Sequence, residues 1–270
     1  MTFGGRHIVA ILALVVVGAL VDAVRFAPAQ QSPASAGPAD PKLIEDLVIA
    51  NRILAQEGVL DAFGHVTARH NRNPNRFFMS RSLAPALITA DDLIEYDLDG
   101  NAVNARGRGE YSERFIHAEI YRARPDVNAV AHSHAASVIP FGVSTVPLRP
   151  VYHLAGFITE GIPIFDIRKA AGMTDMLVKN STLGRALAQA LGKQPAVLMR
   201  GHGMAVAGPA IPFAVGRSIY MDLNARIQMQ AMGLGGQVTY LDPEEAAKYE
   251  PTIATTIGRP WELWKKSVLR

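Results

Sequence analysis

A chain of 270 residues that is 49% hydrophobic and only 19% charged has the length for one large domain and enough apolar side chain for a substantial core, which argues against disorder. Its net charge of +3 comes without any Lys/Arg block interleaved with aromatics, so nucleic acid is not expected as a partner. The absence of cysteine removes disulfides, thiolate metal ligands and cysteine nucleophiles together, so a metal would have to be held by His, Asp, Glu or water.

In chain order, the head differs in kind from the rest. Arg6 and His7 precede an unbroken apolar run over residues 8–21, and Ala27-Pro28-Ala29 follows. A basic start, an apolar run and a small-x-small site predict a signal peptide over residues 1–29, and hence a secreted or periplasmic protein with no stable membrane insertion after cleavage. An uncleaved anchor over residues 8–27 is the alternative, against which Asp22 and Arg25 count. Residues 30–39 are Pro/Ser/Ala/Gly-rich and read as a flexible linker, which leaves 40–270 as the domain.

Asp40 can cap a helix with Pro41 at its first position, Leu43, Ile44, Leu47, Val48 and Leu54 near one face and Gly58 as its stop. Strands are expected at 64–70 and 76–80, then a capped turn at 89–92 and a strand at 93–98 leading into Asp99-Gly100. A helix over 112–124 ends at Pro125 and is followed by a strand at 128–134. A strand at 162–165, a helix at 182–191 stopped by Gly192, strands at 196–199 and 204–207 and a long helix at 212–232 complete the pattern. Mixed helices and strands with short connections predict one α/β domain.

Chemistry concentrates in three places. His132 and His134 are two apart in an apolar run, and in a strand residues i and i+2 share a face, so both imidazoles would converge. Taken alone, a His-x-His pair is more readily read as two surface or core histidines that happen to alternate. His202 stands between two glycines directly after an apolar run, where the backbone can turn sharply and bring a side chain to a buried ion; a plain turn histidine is the bland reading. Three imidazoles with an open position make a known catalytic zinc arrangement. Glu113, in the first turn of a helix that leads into the His-x-His strand, can ligate or act as a base, although the helix dipole favours an acid there anyway.

Together, Ser112-Glu113-Arg114-Phe115, the run from Arg124-Pro125-Asp126 through His132-Ser133-His134, and Leu198-Met199-Arg200-Gly201-His202-Gly203 resemble the class II aldolase/adducin family over residues 44–232. The resemblance implies a three-layer α/β/α domain with a central, largely antiparallel sheet, assembled as a homotetramer. By motif match, His132, His134 and His202 would bind a divalent metal ion, Zn2+ first and Mn2+, Fe2+ or Co2+ as alternatives, with Glu113 as catalytic acid/base and possible fourth ligand. The non-enzymatic adducin branch loses these ligands, and this chain keeps them.

The family's sugar-phosphate aldolases hold phosphate in three loops, and all three are altered. A Gly-Asn-x-Ser pattern becomes Gly64-His65-Val66-Thr67, a Thr-Gly pair becomes Ser82-Leu83, and a Ser-Ser pair becomes Tyr111-Ser112. Close backbone approach to phosphate would be obstructed by Leu83 and by the bulk of Tyr111, so the substrate is expected to be unphosphorylated. By position, His65, Thr67, Ser82, Tyr111, Ser112, Tyr152 and His153 are the substrate-binding candidates. Arg69, Arg81, Arg106, Arg108 and Arg114 are further anchors for a carboxylate, and His117 can support Glu113.

The expected activity is a metal-dependent lyase that breaks a C–C bond next to a carbonyl, by retro-aldol cleavage or decarboxylation of a hydroxy/keto or aromatic hydroxy acid. The segment 152–166 resembles that of the aromatic-acid decarboxylases of the family. The rivals are a non-catalytic metal-containing binding or scaffold protein, a sugar-phosphate aldolase, and a metal-dependent oxygenase using the same histidines.

Overall fold

The computed structural model describes residues 1–2, 32–159 and 161–269. The leader and cleavage site expected within residues 1–29 therefore lie outside the described residues, Met1 and Thr2 apart. Among the described residues no helix is long and apolar enough to cross a membrane.

The first helix, α1 (Pro41–Gln56), begins as its sequence dictates: the Asp40 side chain accepts from the Lys42 N–H, and Pro41 fills the first turn, where no amide is needed. Three strands follow as a meander, β1 (His65–Arg69), β2 (Arg76–Ser80) and β3 (Leu93–Asp97). Before β3, Thr89 and Asp92 form the expected capped turn, with the Thr89 N–H and hydroxyl both donating to Asp92 at 2.8 Å. Then come α2 (Arg114–Ala123), β4 (Ala129–Ser133), α3 (Ile139–Val143), β5 (Ile164–Phe165), α4 (Arg168–Ala171) and α5 (Ser181–Leu191). The strands β6 (Ala196–Met199) and β7 (Gly203–Gly208) form a hairpin around His202, and α6 (Ile211–Gly233), α7 (Pro243–Thr256) and α8 (Gly258–Val268) close the chain.

The seven strands form one sheet in the order β3-β2-β1-β4-β7-β6-β5. Every pair is antiparallel except β5 with β6. Strand alternation divides the core in two. Val66, Ala68, Ala129, Ala131, Leu198, Met204 and Val206 meet α1, α6 and α8, whereas Val130, Val197, Met199, Ala205 and Ala207 meet α2 and α5 on the other face. Both faces are covered, so β1, β4 and β7 are buried at every residue, although β1 alternates polar His65, Thr67 and Arg69 with apolar Val66 and Ala68. This is the three-layer α/β/α architecture with a largely antiparallel sheet that the family resemblance implies.

Two parts of the chain go beyond the sequence reading. The helices α7 and α8 follow the expected last helix, with Asp242 and Glu245 forming a capping box and Trp261 and Trp264 buried in the core on the α1 and α6 side. Within the segment read as a linker, Ser35 and Ala36 are fastened to the Glu95 carboxylate at 2.6 and 2.9 Å, and the carbonyl of Gly37 lies 3.1 Å from His70 Nε2.

Candidate metal centre

Strand parity places the first histidine. On β4, Val130 faces α2 and so does His132, which is fully buried. His134 lies just past the strand end. His202 is brought opposite by its flanking glycines: Gly201 has φ of 65°, and a Cβ on Gly203 would stand 2.0 Å from the Ser133 carbonyl oxygen, so only glycine lets the start of β7 approach β4 here. The register then sets His132 beside Ala205 and Ser133 beside Met204.

Glu113 is the residue that caps α2, yet its side chain makes no capping hydrogen bond. The carboxylate is turned to partners outside the helix. Its Oε1 accepts from the Val178 N–H at 2.9 Å, and its Oε2 stands 3.6 Å from His132 Nε2 and 3.5 Å from His202 Nε2. The ligand atoms of Glu113, His132, His134 and His202 all lie within 4.8 Å of one another.

The outer nitrogens explain the convergence. His132 Nδ1 lies 3.0 Å from the Met204 carbonyl, His202 Nδ1 3.2 Å from the Met176 carbonyl and His134 Nδ1 3.0 Å from the Asp61 carboxylate. All three partners only accept, so each Nδ1 carries the proton and each Nε2 turns a bare lone pair inward. His134 Nε2 and His202 Nε2 face each other at 3.1 Å, and His132 Nε2 is buried without a partner. Three imidazole lone pairs and a carboxylate oxygen aimed at one point are the donor set of a divalent ion, and an ion would satisfy all of them at once.

Without an ion, the charges of these groups are coupled. Burial works against the charged form of Glu113, but the His132 and His202 imidazoles beside it hold its carboxyl far below the usual range. Burial pushes His132 down against the opposing pull of Glu113. In His202 burial acts downward too, but Glu113 outweighs it and the net shift is upward. Asp61 was not singled out from the sequence. It also accepts from the N–H groups of Phe63 and Gly64 at 2.9 Å, and this Asx-type turn just before β1 is the local signal that could have found it.

The other expected site residues divide. The three altered loops do meet: the Tyr111 ring lies 4.5 Å from that of His65, and the Tyr111 hydroxyl donates to the Leu83 carbonyl. His65 is 1% exposed and its ring is 5.3 Å from that of His132. Thr67, expected at the substrate, is fully buried with its hydroxyl between His117 and Tyr121, so it faces the interior. His117 does not support Glu113 as expected; its Nε2 is 2.8 Å from His65 Nδ1. Ser82 and Ser112 are exposed beside these loops. Tyr152 and His153 sit in a separate aromatic group, with rings 6.4 Å from Tyr220 and 5.0 Å from Tyr249 respectively.

The arginines expected as anchors hold this chain's own groups instead. Arg69 donates to the carbonyls of Val127, Tyr121 and Arg124, Arg81 pairs with Asp92, and Arg106 donates to Asn104. Arg108 and Arg114 donate to the carbonyls of Leu93 and Gly100. A guanidinium satisfies buried carbonyls as readily as a ligand carboxylate, and the residue type alone does not tell the two apart.

The chain matches the family model for the class II aldolase and adducin N-terminal domain over residues 45–229. It is 37% identical over 239 residues to decarboxylase tropJ of Talaromyces stipitatus, a match covering 80% of this chain and 90% of that one. It is 31% identical to the 3,4-dihydroxyphthalate decarboxylase of Arthrobacter keyseri, over 76% of this chain and 84% of that enzyme. Among solved structures it is similar to L-fuculose 1-phosphate aldolase from Glaciozyma antarctica, with a TM-score of 0.69 at 24% identity over 86% of this chain and 93% of that one. An aldolase II superfamily protein from Pseudomonas syringae gives a TM-score of 0.72 at 23% identity, over 86% and 94% of the two chains.

These relatives correct the expectation of a secreted or periplasmic protein: they are similar to this chain as enzymes over nearly their whole length, and none of the likeness supports a leader at residues 1–29. That location is withdrawn. The chain belongs to the class II aldolase and adducin family and is one of its metal-dependent lyases.

Proposed function

We propose that this chain is a metal-dependent decarboxylase of an unphosphorylated aromatic hydroxy acid, with His132, His134 and His202 as the metal ligands and Glu113 as the acid/base. The observation that carries it is Tyr111. Its ring packs on His65 and its hydroxyl is spent on the Leu83 carbonyl, so a tyrosyl side chain fills the junction of the three loops where a sugar phosphate would need small residues and free amides. The similarity to two decarboxylases supports the same reading.

When bound, a divalent ion, for which zinc suits the imidazole-rich donor set, supplies an electron sink next to the bond that breaks. The chain's own residues do the rest. Glu113, held ionised and fixed through Oε1 by the Val178 N–H, offers Oε2 to take the proton of a substrate hydroxyl and return it to the ring carbon that bears the carboxylate. The C–C bond then breaks, carbon dioxide leaves, and the electron pair returns to the ring oxygen, which takes up a proton from solvent. The net change replaces a carboxylate with a hydrogen. Proton transfer by a positioned carboxylate is worth ~100- to 10,000-fold in rate. A homotetramer belongs to the same proposal, and light scattering tests it.

The experiment is carbon dioxide release by the zinc-loaded protein from 3,4-dihydroxyphthalate and a panel of ortho-hydroxy aromatic acids, beside aldol cleavage of a sugar phosphate. Release from one or more aromatic acids with no sugar-phosphate cleavage is expected. Preferential cleavage of the phosphorylated sugar would overturn the reading.

A further inference from the structure

Behind His132 runs a buried polar chain that the metal site does not use. On β1, His65, Thr67 and Arg69 share the face opposite α2, which presents His117 and Tyr121 one helical turn apart. Tyr121 Oη lies 2.8 Å from Thr67 Oγ1, Thr67 Oγ1 lies 2.7 Å from His117 Nδ1, and His117 Nε2 lies 2.8 Å from His65 Nδ1. Thr67 and His117 are fully buried, and His65 and Tyr121 are 1% exposed. The chain ends at His65, whose Nε2 makes no hydrogen bond to any described residue while its ring stands between those of Tyr111 and His132.

The direction of the protons follows from the ends. Burial keeps the Tyr121 phenol protonated, and its 2.8 Å contact with Thr67 Oγ1 can run in either direction; with Tyr121 donating, Thr67 is left to donate onward. The Thr67 hydroxyl has two acceptors in reach, His117 Nδ1 at 2.7 Å and the Val130 carbonyl at 3.4 Å, and the shorter contact is the stronger bond. At 2.8 Å one of His117 Nε2 and His65 Nδ1 has to be bare to accept from the other, and the burial of both rings favours their neutral forms. Neutral His117, accepting at Nδ1, carries its proton on Nε2 and donates to His65 Nδ1. His65 then carries its own proton on Nε2.

We propose that Tyr121, Thr67 and His117 are positioning residues that fix His65 as an Nε2–H donor beside His132, directed at an acceptor oxygen of the substrate acid. A fixed donor at the rim of the metal site would hold a carboxylate or ring oxygen in place without adding a charge that competes with the metal. The identity of that oxygen rests on the decarboxylase reading; the direction of the donor does not.

The test separates the two. In the zinc-loaded, full-length protein labelled with 15N-histidine, the ring nitrogens of His65 are assigned by comparison with His65→Gln. Wild type and Thr67→Ser are expected to show a protonated Nε2 and a bare Nδ1 on His65. Thr67→Val, which keeps the shape but removes the donor, should release the tautomer into a mixture, leave zinc content unchanged and lower kcat/KM ~10- to 100-fold. His117→Gln, whose amide can accept from Thr67 and donate to His65, should keep the tautomer and most of the activity, which a merely structural role would not do. A His65 protonated on Nδ1 in the wild type, or a tautomer indifferent to Thr67→Val in a folded, zinc-loaded protein, would overturn the proposal. The expected tautomers without decarboxylation of any tested acid would support the relay and refute the proposed function instead.

Discussion

Replacing Asp61 by alanine isolates the support of one ligand from the ligand itself. Asp61 accepts from His134 Nδ1 at 3.0 Å and thereby turns His134 Nε2 toward His202. A carboxylate behind a metal-bound imidazole is typically worth ~10- to 100-fold in metal affinity, or ~1.4–2.7 kcal/mol. The Asp61 side chain is 47% exposed and that of His134 22%, so water screens the pair and the lower end applies. The expected result for Asp61→Ala is therefore ~10-fold weaker zinc binding, near 1.4 kcal/mol. Asp61→Asn should come close to it, because turning its one carbonyl oxygen to His134 takes that oxygen from the N–H groups of Phe63 and Gly64 that Asp61 now caps. Competition against a fluorescent chelator measures the affinity, with circular dichroism to show that both variants fold. Zinc affinity unchanged within twofold in Asp61→Ala would refute the claim that Asp61 orients His134.

Four further outcomes follow from the same geometry. Glu113→Gln keeps an oxygen for the Val178 N–H and all three imidazoles, so zinc content should stay and turnover should fall ~100- to 10,000-fold, read by metal analysis beside carbon dioxide release. His132→Ala removes the buried central imidazole, and zinc content in the purified protein should drop to background. Gly203→Ala places a methyl 2.0 Å from the Ser133 carbonyl; the β4–β7 register has to give way, with a loss of ~3 kcal/mol or more in urea unfolding and loss of zinc. Trp264→Ala, in the core on the other face of the sheet at 8% exposure, should cost ~3–5 kcal/mol of stability while leaving zinc affinity of the folded protein intact.

How much of this was legible in the sequence depended on whether the information was local. The histidine pair was legible from alternation along a strand that carries His132 and ends one residue short of His134, and His202 from glycines whose need is visible as a 2.0 Å approach. The helix starting at Pro41 carries its own cap, and β6 and β7 carry their own apolar runs. What could not be read were partners from distant segments. The Met176 and Met204 carbonyls and the Val178 N–H that orient His202, His132 and Glu113 are backbone groups, and any residue type would supply them. Thr67 was misplaced because a motif position fixes a residue in the chain but not the face of the strand on which it spends its hydroxyl. The last two helices escaped notice because Pro251 interrupts α7 and Gly258 opens α8, both of which read as breaks.

The same alternation that hides Thr67 also explains why one side of the sheet carries all the chemistry. His65, Thr67, Val130, His132 and Ala205 point toward α2, whose start delivers Glu113 and whose next turns deliver His117 and Tyr121. Their neighbours of opposite parity, Val66, Ala131, Met204 and Val206, point toward α1 and α6 and are apolar packing. Adjacent residues of one strand therefore belong to different functions. A change at Ala131 acts on the core and should move stability, while a change at His132 acts on the donor set and should move metal content. A site built this way stays rigid, because His132 rises from a strand whose back is locked into a second core and His134, His202 and Glu113 sit at the ends of the elements around it. The arrangement also confines variation in substrate to the three loops at the strand ends, where Tyr111 has already closed the space between His65 and Leu83 without disturbing the histidines.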